Sequence, residues 1–221
     1  MALGAKPIER IYAIGDIHGC LGHLKLLLEK IQPDFSHHRL VFIGDYIDRG
    51  PDSKGVIDFI INLKKKFTPE RIICLRGNHE YMFLEYLRGE NKPRFLLNGG
   101  SNTVVSYWGQ RGDRTESDLP SPHWEFFERL QLLYETEDYI FVHGGLKPGV
   151  PLPEQKEEDL LWIREEFIFS PEDFGRPVIF GHTPFRAPLV QPNKIGIDTG
   201  AVYGNKLTCV SLPEKIFFSV P

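Results

Sequence analysis

Five short clusters in this chain carry the residue types that bind cations and phosphate. Gly15-Asp16-Ile17-His18-Gly19 sets a carboxylate and an imidazole two residues apart. In an extended turn both side chains point the same way, which suits two ligands for one cation. Turns holding Asp and His are also common where nothing binds, and Asp16 could instead cap the helix that follows. Gly44-Asp45-Tyr46-Ile47-Asp48-Arg49-Gly50 holds two carboxylates and an arginine within seven residues. Its plain reading is a turn with an Asp48–Arg49 ion pair. Its chemical reading makes Asp45 a bridge between metal ions and Arg49 a phosphate clamp, because a guanidinium fork matches phosphate oxygens. Gly77-Asn78-His79-Glu80 offers an amide oxygen as a metal ligand beside an ionisable imidazole. His143 and His182 each end an apolar run. Singly, such histidines are more often structural; with His18 and His79 they make four of the chain's eight.

What positions these clusters is a series of short apolar runs. Arg10–Ile14, Arg39–Ile43, Arg71–Leu75, Tyr139–Val142 and Pro177–Phe180 are rich in Ile, Val and Phe and stop at the clusters, as buried strands do. Between them, Leu21, Leu24, Leu27, Leu28 and Ile31 recur at helical spacing. Residues 53–66 repeat the pattern, with Ser53 as the expected N-cap and Lys64–Lys66 at the C-terminal end. Residues 80–88 and 123–133 are expected to be helical, and 109–122 and 145–159 to be loops. From Ile195 the pattern turns to strand upon strand: KIGIDT, AVYG, NKLTCVSL and KIFFSV, with a turn at Gly204-Asn205. Strand alternating with helix predicts an α/β protein closed by an antiparallel element. In such sheets ligands bind outside the carboxyl ends of the strands, where all five clusters fall.

Composition sets outer bounds. The 221 residues are 41% hydrophobic and 25% charged, ordinary globular usage, and the whole chain is read as one domain. A formal net charge of −4 argues against a partner made of nucleic acid, which asks for a basic face. Bound divalent cations would still reverse the sign inside an acidic pocket. Cys20, Cys74 and Cys209 are odd in number and far apart, as expected of small core residues in a reducing compartment. No stretch approaches the ~20 apolar residues of a membrane span, and the N-terminal residues do not read as a signal peptide. A cytoplasmic protein is the expectation.

The clusters, in this order, resemble the phosphoprotein phosphatase branch of the calcineurin-like metallophosphoesterases. That family carries GDxHG, GDxxDRG, GNHE, HGG and a late histidine. The resemblance spans about residues 11–203 and looks most like the compact bacterial and phage members. It implies a four-layer αββα sandwich, with two mixed sheets flanked by helices. It implies two divalent metal ions: Asp16 and His18 on the first, Asp45 bridging, and Asn78, His143 and His182 on the second. Manganese is the usual activator of similar bacterial enzymes; iron, zinc or magnesium also suit such ligands. The resemblance further implies in-line attack of water on phosphorus. His79 would be the general acid, Asp48 its support, and Arg49 a phosphate ligand. Arg164 resembles the second arginine, although it could pair with Glu165 on a helix surface. Asp198 is read as structural or as support for a ligand histidine, and Tyr203 as lying at the pocket edge.

Three activities compete. A phosphoserine, phosphothreonine or phosphotyrosine phosphatase acting on a phosphorylated protein is favoured by the DR pair and by Glu80. A symmetrical dinucleoside tetraphosphatase is closely related, but typically differs at the position of Asp48 and has GNHD. A scaffold without activity would be expected to have lost a ligand, the acid or the first arginine, and all are present.

Overall fold

The computed structural model describes residues 10–110 and 112–221. In chain order, β1 (Arg10–Ile14), α1 (Leu21–Ile31), β2 (His38–Phe42), α2 (Ser53–Lys66) and β3 (Ile72–Cys74) alternate as expected. Four helices follow: α3 (Asn78–Leu87), α4 (Lys92–Phe95), α5 (Ser101–Trp108) and α6 (Ser121–Glu128). A widened turn, Leu96–Gly100, joins α4 to α5. Next come β4 (Leu133–Glu135), β5 (Ile140–Val142), α7 (Glu157–Trp162), α8 (Glu165–Ile168) and β6 (Val178–Phe180). The chain closes with β7 (Leu189–Gln191), β8 (Lys194–Gly196), β9 (Leu207–Leu212) and β10 (Ile216–Val220).

Two mixed sheets result, ordered β10-β9-β1-β2-β3 and β4-β5-β6-β8-β7. The strands that feed the clusters run parallel within each sheet, β1-β2-β3 in one and β5-β6-β8 in the other. Strand alternation divides the apolar residues into three layers. Ile11, Ala13, Val41 and Ile43 face Phe141, Ile179 and Ile195 between the sheets. Tyr12, Ile14, Leu40 and Phe42 pack against the helices of the first sheet. Ile140, Val142, Val178 and Phe180 pack outward on Leu160 and Phe167. This is the expected αββα sandwich, and both faces of each central strand are buried.

Several local expectations change. Helix 123–133 ends at Glu128, because Gln131 is drawn into backbone pairing with Cys74 and Arg76 and the chain continues as β4. Asp52, not Ser53, caps α2, accepting from Gly55 N at 2.8 Å. The Ser53 hydroxyl is turned inward to Asp48 N. AVYG is a 3-10 turn between Gly200 and Gly204, both at positive φ, rather than a strand. The second presumed loop contains the start of α7. The three cysteines are buried and free. No helix among the described residues is long and apolar enough to cross a membrane.

Phe141 is fully buried between the sheets. Phe141→Ala should lower the unfolding free energy by about 3–5 kcal/mol in a urea titration, since the layer is held from both sides and can collapse little.

Candidate metal centre and active site

The loops after β1, β2, β3, β5 and β6 bring the predicted residues together around Asp45. Its carboxylate lies 3.4 Å from His18 Nε2, 3.4 Å from His143 Nε2 and 3.9 Å from His79 Nε2. Asp16, His18, Asp45, Asp48, Asn78, His79, His143 and His182 are all buried.

The hydrogen bonds of each ring say what its inward nitrogen can do. His18 Nδ1–H donates to Ile47 O at 2.8 Å, and His143 Nδ1–H to Ile43 O at 3.0 Å. Both Nε2 lone pairs are therefore left facing inward. Burial lowers both imidazoles, His18 to about 3, so neither acquires a second proton near neutral pH. His143 Nε2 nevertheless sits 2.9 Å from Asn78 Oδ1, an acceptor against an acceptor. His182 Nδ1 meets the same oxygen at 2.8 Å, and burial lowers its ring to about 2. Asp16 accepts from His182 N at 3.0 Å; burial, with the charges of Asp198 and Asp45, drives its pKa well up. Converging lone pairs and carboxylates with too few protons between them fit divalent cations, which would relieve both strains. One atom each from Asp45, His143 and His182 lies within 4.8 Å of the others, as does one each from His18, Asp45 and His79.

His79 differs from the other three rings. Its Nδ1–H donates to Asp48 Oδ2 at 2.6 Å, and its buried Nε2 has no partner. Burial would lower its pKa, but the Asp45 charge and the Asp48 hydrogen bond outweigh it and raise it. Position alone would let His79 join the first metal cluster; its raised pKa favours a second proton at Nε2, which suits it better to donating than to ligating.

Backbone strain concentrates here. Eight described non-glycine residues have positive φ, and five are His18, Asp45, Asp48, Arg49 and His182. Such conformations persist only where the surroundings impose them. Glu80 supplies part of that force. Its carboxylate accepts from Asp45 N and Gly77 N at 2.9 Å each and from Tyr46 N at 2.8 Å. It thereby ties the Asp45 turn to the N-terminus of α3. Gly77 admits no side chain, since a Cβ there would lie 2.1 Å from Asp45 Oδ1.

The two arginines are placed differently. Arg49 donates to His18 Nε2 at 2.7 Å and lies 5.6 Å from the centre of the exposed Tyr203 ring. Arg164 precedes α8, and its charge helps lower the pKa of His143 and His182. Among the described residues it forms no ion pair with Glu165. Lys194, fully buried, donates to Phe167 O and Ser170 O and so fixes the helix that Arg164 begins. Asp198 plays a structural part: its carboxylate accepts from Gly200 N at 2.9 Å. Sequence reasoning missed Thr103 and Asn102, which touch Asp48 and Arg49 from α5. The only signal was a Gly-Gly-Ser-Asn-Thr run at residues 99–103.

Fold and centre together define a metal-dependent phosphoesterase. The chain belongs to the calcineurin-like phosphoesterases, whose family model matches residues 9–208. Members of this family are hydrolases that depend on two metal ions. The chain is 32% identical to serine/threonine-protein phosphatase 1 of Salmonella typhimurium, over 92% of each chain. It is 28% identical to an asymmetrical bis(5′-nucleosyl)-tetraphosphatase, PrpE of Anoxybacillus flavithermus, over 94% of this chain and 92% of that one. Among solved structures, one assigned provisionally as a diadenosine tetraphosphatase superposes with a TM-score of 0.74 at 23% identity. It covers 98% of this chain and 96% of its own. That likeness bears on the fold.

Glu80→Gln replaces one accepting oxygen with an NH2 that faces backbone donors. It should cost about 2–4 kcal/mol in denaturant titration. It should also weaken Mn²⁺ binding in calorimetry, because the Asp45 turn loosens.

Proposed function

We propose that this chain is a phosphomonoesterase acting on phosphoproteins, on phosphoserine and phosphothreonine first and on phosphotyrosine as well. Asp16, His18, Asp45, Asn78, His143 and His182 are the residues that would hold two divalent ions, with manganese the first candidate. Bound there, the ions would supply positive charge for the phosphoryl oxygens and the acidity that makes water a nucleophile near neutral pH. Arg49 and Arg164 bind the phosphoryl oxygens and set phosphorus in line. For His18 Nε2 to serve as a metal ligand, Arg49 has to give up its contact with that nitrogen.

The buried Asp48–His79 pair carries the reading. An alkoxide leaving a phosphate monoester is strongly basic and departs slowly without a proton. His79 offers one at Nε2, and Asp48 steadies the charged ring. A nucleotide leaving a phosphoanhydride is far less basic and has little use for such a donor.

A second reading is favoured by the rim. Arg94 lies 4.2 Å over the Trp162 ring, which meets His182 edge-on at 6.0 Å. An aromatic face backed by a cation suits a nucleobase and a polyphosphate. This suits a dinucleoside polyphosphate, and relatives named as asymmetrical bis(5′-nucleosyl)-tetraphosphatases favour the asymmetrical cut over the symmetrical one.

The deciding experiment strips metal, restores Mn²⁺, and offers a phosphoserine peptide and diadenosine tetraphosphate side by side. Orthophosphate from the peptide with an inert dinucleotide is the expected result. ATP with AMP would move the chain to asymmetrical cleavage, and two ADP to symmetrical. Separately, His79→Asn should lower kcat on the peptide by about 10²–10⁴-fold and much less on p-nitrophenyl phosphate, whose leaving group needs little protonation. Equal losses would remove His79 as the acid.

A further inference from the structure

The stretch from Gly99 to Thr103 belongs to none of the clusters, yet it grips two of the residues on which the chemistry turns. Thr103 is fully buried. Its hydroxyl donates to Asp48 Oδ1 at 2.5 Å and accepts from Asp48 N at 2.9 Å. Ser53 Oγ stands 2.9 Å from the same hydroxyl and 3.1 Å from Asp48 N. Asp48 Oδ2 is taken by His79. Both carboxylate oxygens of Asp48 are thus committed, and the plane of the group is set by Thr103 on one side and His79 on the other. One residue earlier, Asn102 Nδ2 donates to Arg49 O, and Arg49 N donates to Gly99 O at 3.2 Å. The turn fits closely there, since a Cβ on Gly99 would come within 2.7 Å of Arg49 Cγ.

The platform behind this grip is itself fixed. Tyr107 lies one turn further along α5, with its hydroxyl 2.8 Å from His123 Nδ1. His123 Nε2–H reaches Asp58 on α2 at 2.9 Å, and Asp58 also receives Lys54 Nζ at 2.7 Å. Lys54 N donates to Ser106 Oγ at 3.0 Å, a further tie between the helices. A helix anchored this way holds its N-terminal turn at a set distance from the strained Asp48-Arg49 turn.

We propose that Thr103 and Asn102 are positioning residues. Thr103 orients Asp48 and, through it, the His79 ring. Asn102 holds the backbone from which the Arg49 guanidinium reaches the phosphate. The inference rests on the roles assigned above to His79 and Arg49. Without the Thr103 hydroxyl, Asp48 Oδ1 would be a buried acceptor lacking its side-chain partner, and the carboxylate could rotate away from Nδ1. The proton would then be less well aimed, and the loss would grow with the basicity of the leaving group. Removing the Asn102 amide disturbs the clamp and leaves proton delivery alone.

The test measures kcat and KM for Mn²⁺-loaded Thr103→Val, Thr103→Ser and Asn102→Ala on a series of aryl phosphates and a phosphoserine peptide, with thermal melting alongside. For Thr103→Val the expected kcat loss is small on p-nitrophenyl phosphate and rises to about 10–100-fold on the peptide. Thr103→Ser should restore the wild-type dependence, because serine keeps the hydroxyl. Asn102→Ala should raise KM across the series without changing its slope. The double variant His79→Asn/Thr103→Val should be no slower than His79→Asn, since Thr103 acts only through that ring. A uniform loss across leaving groups for Thr103→Val, or failure of serine to rescue, overturns the proposal while His79→Asn keeps its steep dependence. A flat response of His79→Asn itself overturns the acid assignment instead. Should Thr103→Val not fold, Thr103→Ala gives the same comparison.

Discussion

A single buried carboxylate organises this molecule. Burial alone would push the Asp45 pKa upward; the surrounding histidines His143, His79, His18 and His182 hold it well below the usual carboxylate range. A charge kept out of water is tolerated only where opposite charge or donors meet it. Here the first answer is geometric. Asp45 projects from a loop in which its own backbone N–H is taken by Glu80, and its Oδ1 accepts from His79 N at 3.1 Å. The second answer is a set of ligand atoms with lone pairs to spare, which calls for cations.

The fold follows from that need. No single sheet edge presents enough loops to surround one carboxylate. Two mixed sheets stacked face to face bring the ends of β1, β2 and β3 against those of β5 and β6. The interleaved layer of Ile11, Ala13, Val41, Phe141, Ile179 and Ile195 sets how closely the two edges approach. Five strained residues at the meeting point show that the loops are bent to the site. The buried layers below supply the stability that keeps them bent.

Much of this was legible in the chain because each ligand sits within a few residues of the strand that aims it. Asp16 and His18 follow β1 directly, and Asn78 and His79 open α3 just beyond β3. Glycines at the bends announced where strands stop. What escaped was long-range. Thr103 meets Asp48 across a sequence separation of 55, and nothing local distinguishes it from a helix residue facing the core. The edge strands β4 and β7 have three residues each, too short for alternation to show. Gln131 left its helix because of a backbone partner on β3 that no periodicity can reveal. Asp198 closes its own turn by accepting from Gly200 N, the structural one of the two roles expected of it.

The ligand set attends to phosphorus, and phosphorus is common to monoesters and dinucleotides. It is therefore unsurprising that relatives named for either activity align along nearly the whole chain. What separates the substrates lies on the leaving-group side. Four imidazoles crowd Asp45, and burial, helped by the neighbouring charges of Arg49 and Arg164, lowers the pKa of three of them. The fourth is raised instead, by the charge of Asp45 and by Asp48, which lies 2.6 Å away with both of its oxygens occupied. Building a buried acid–base pair costs desolvation of both members. That cost has a chemical use only if the departing oxygen is basic enough to need the proton. On this argument the substrate is written less in the five clusters than in the α5 turn that steadies Asp48 and in the Trp162–Arg94 rim that meets whatever departs.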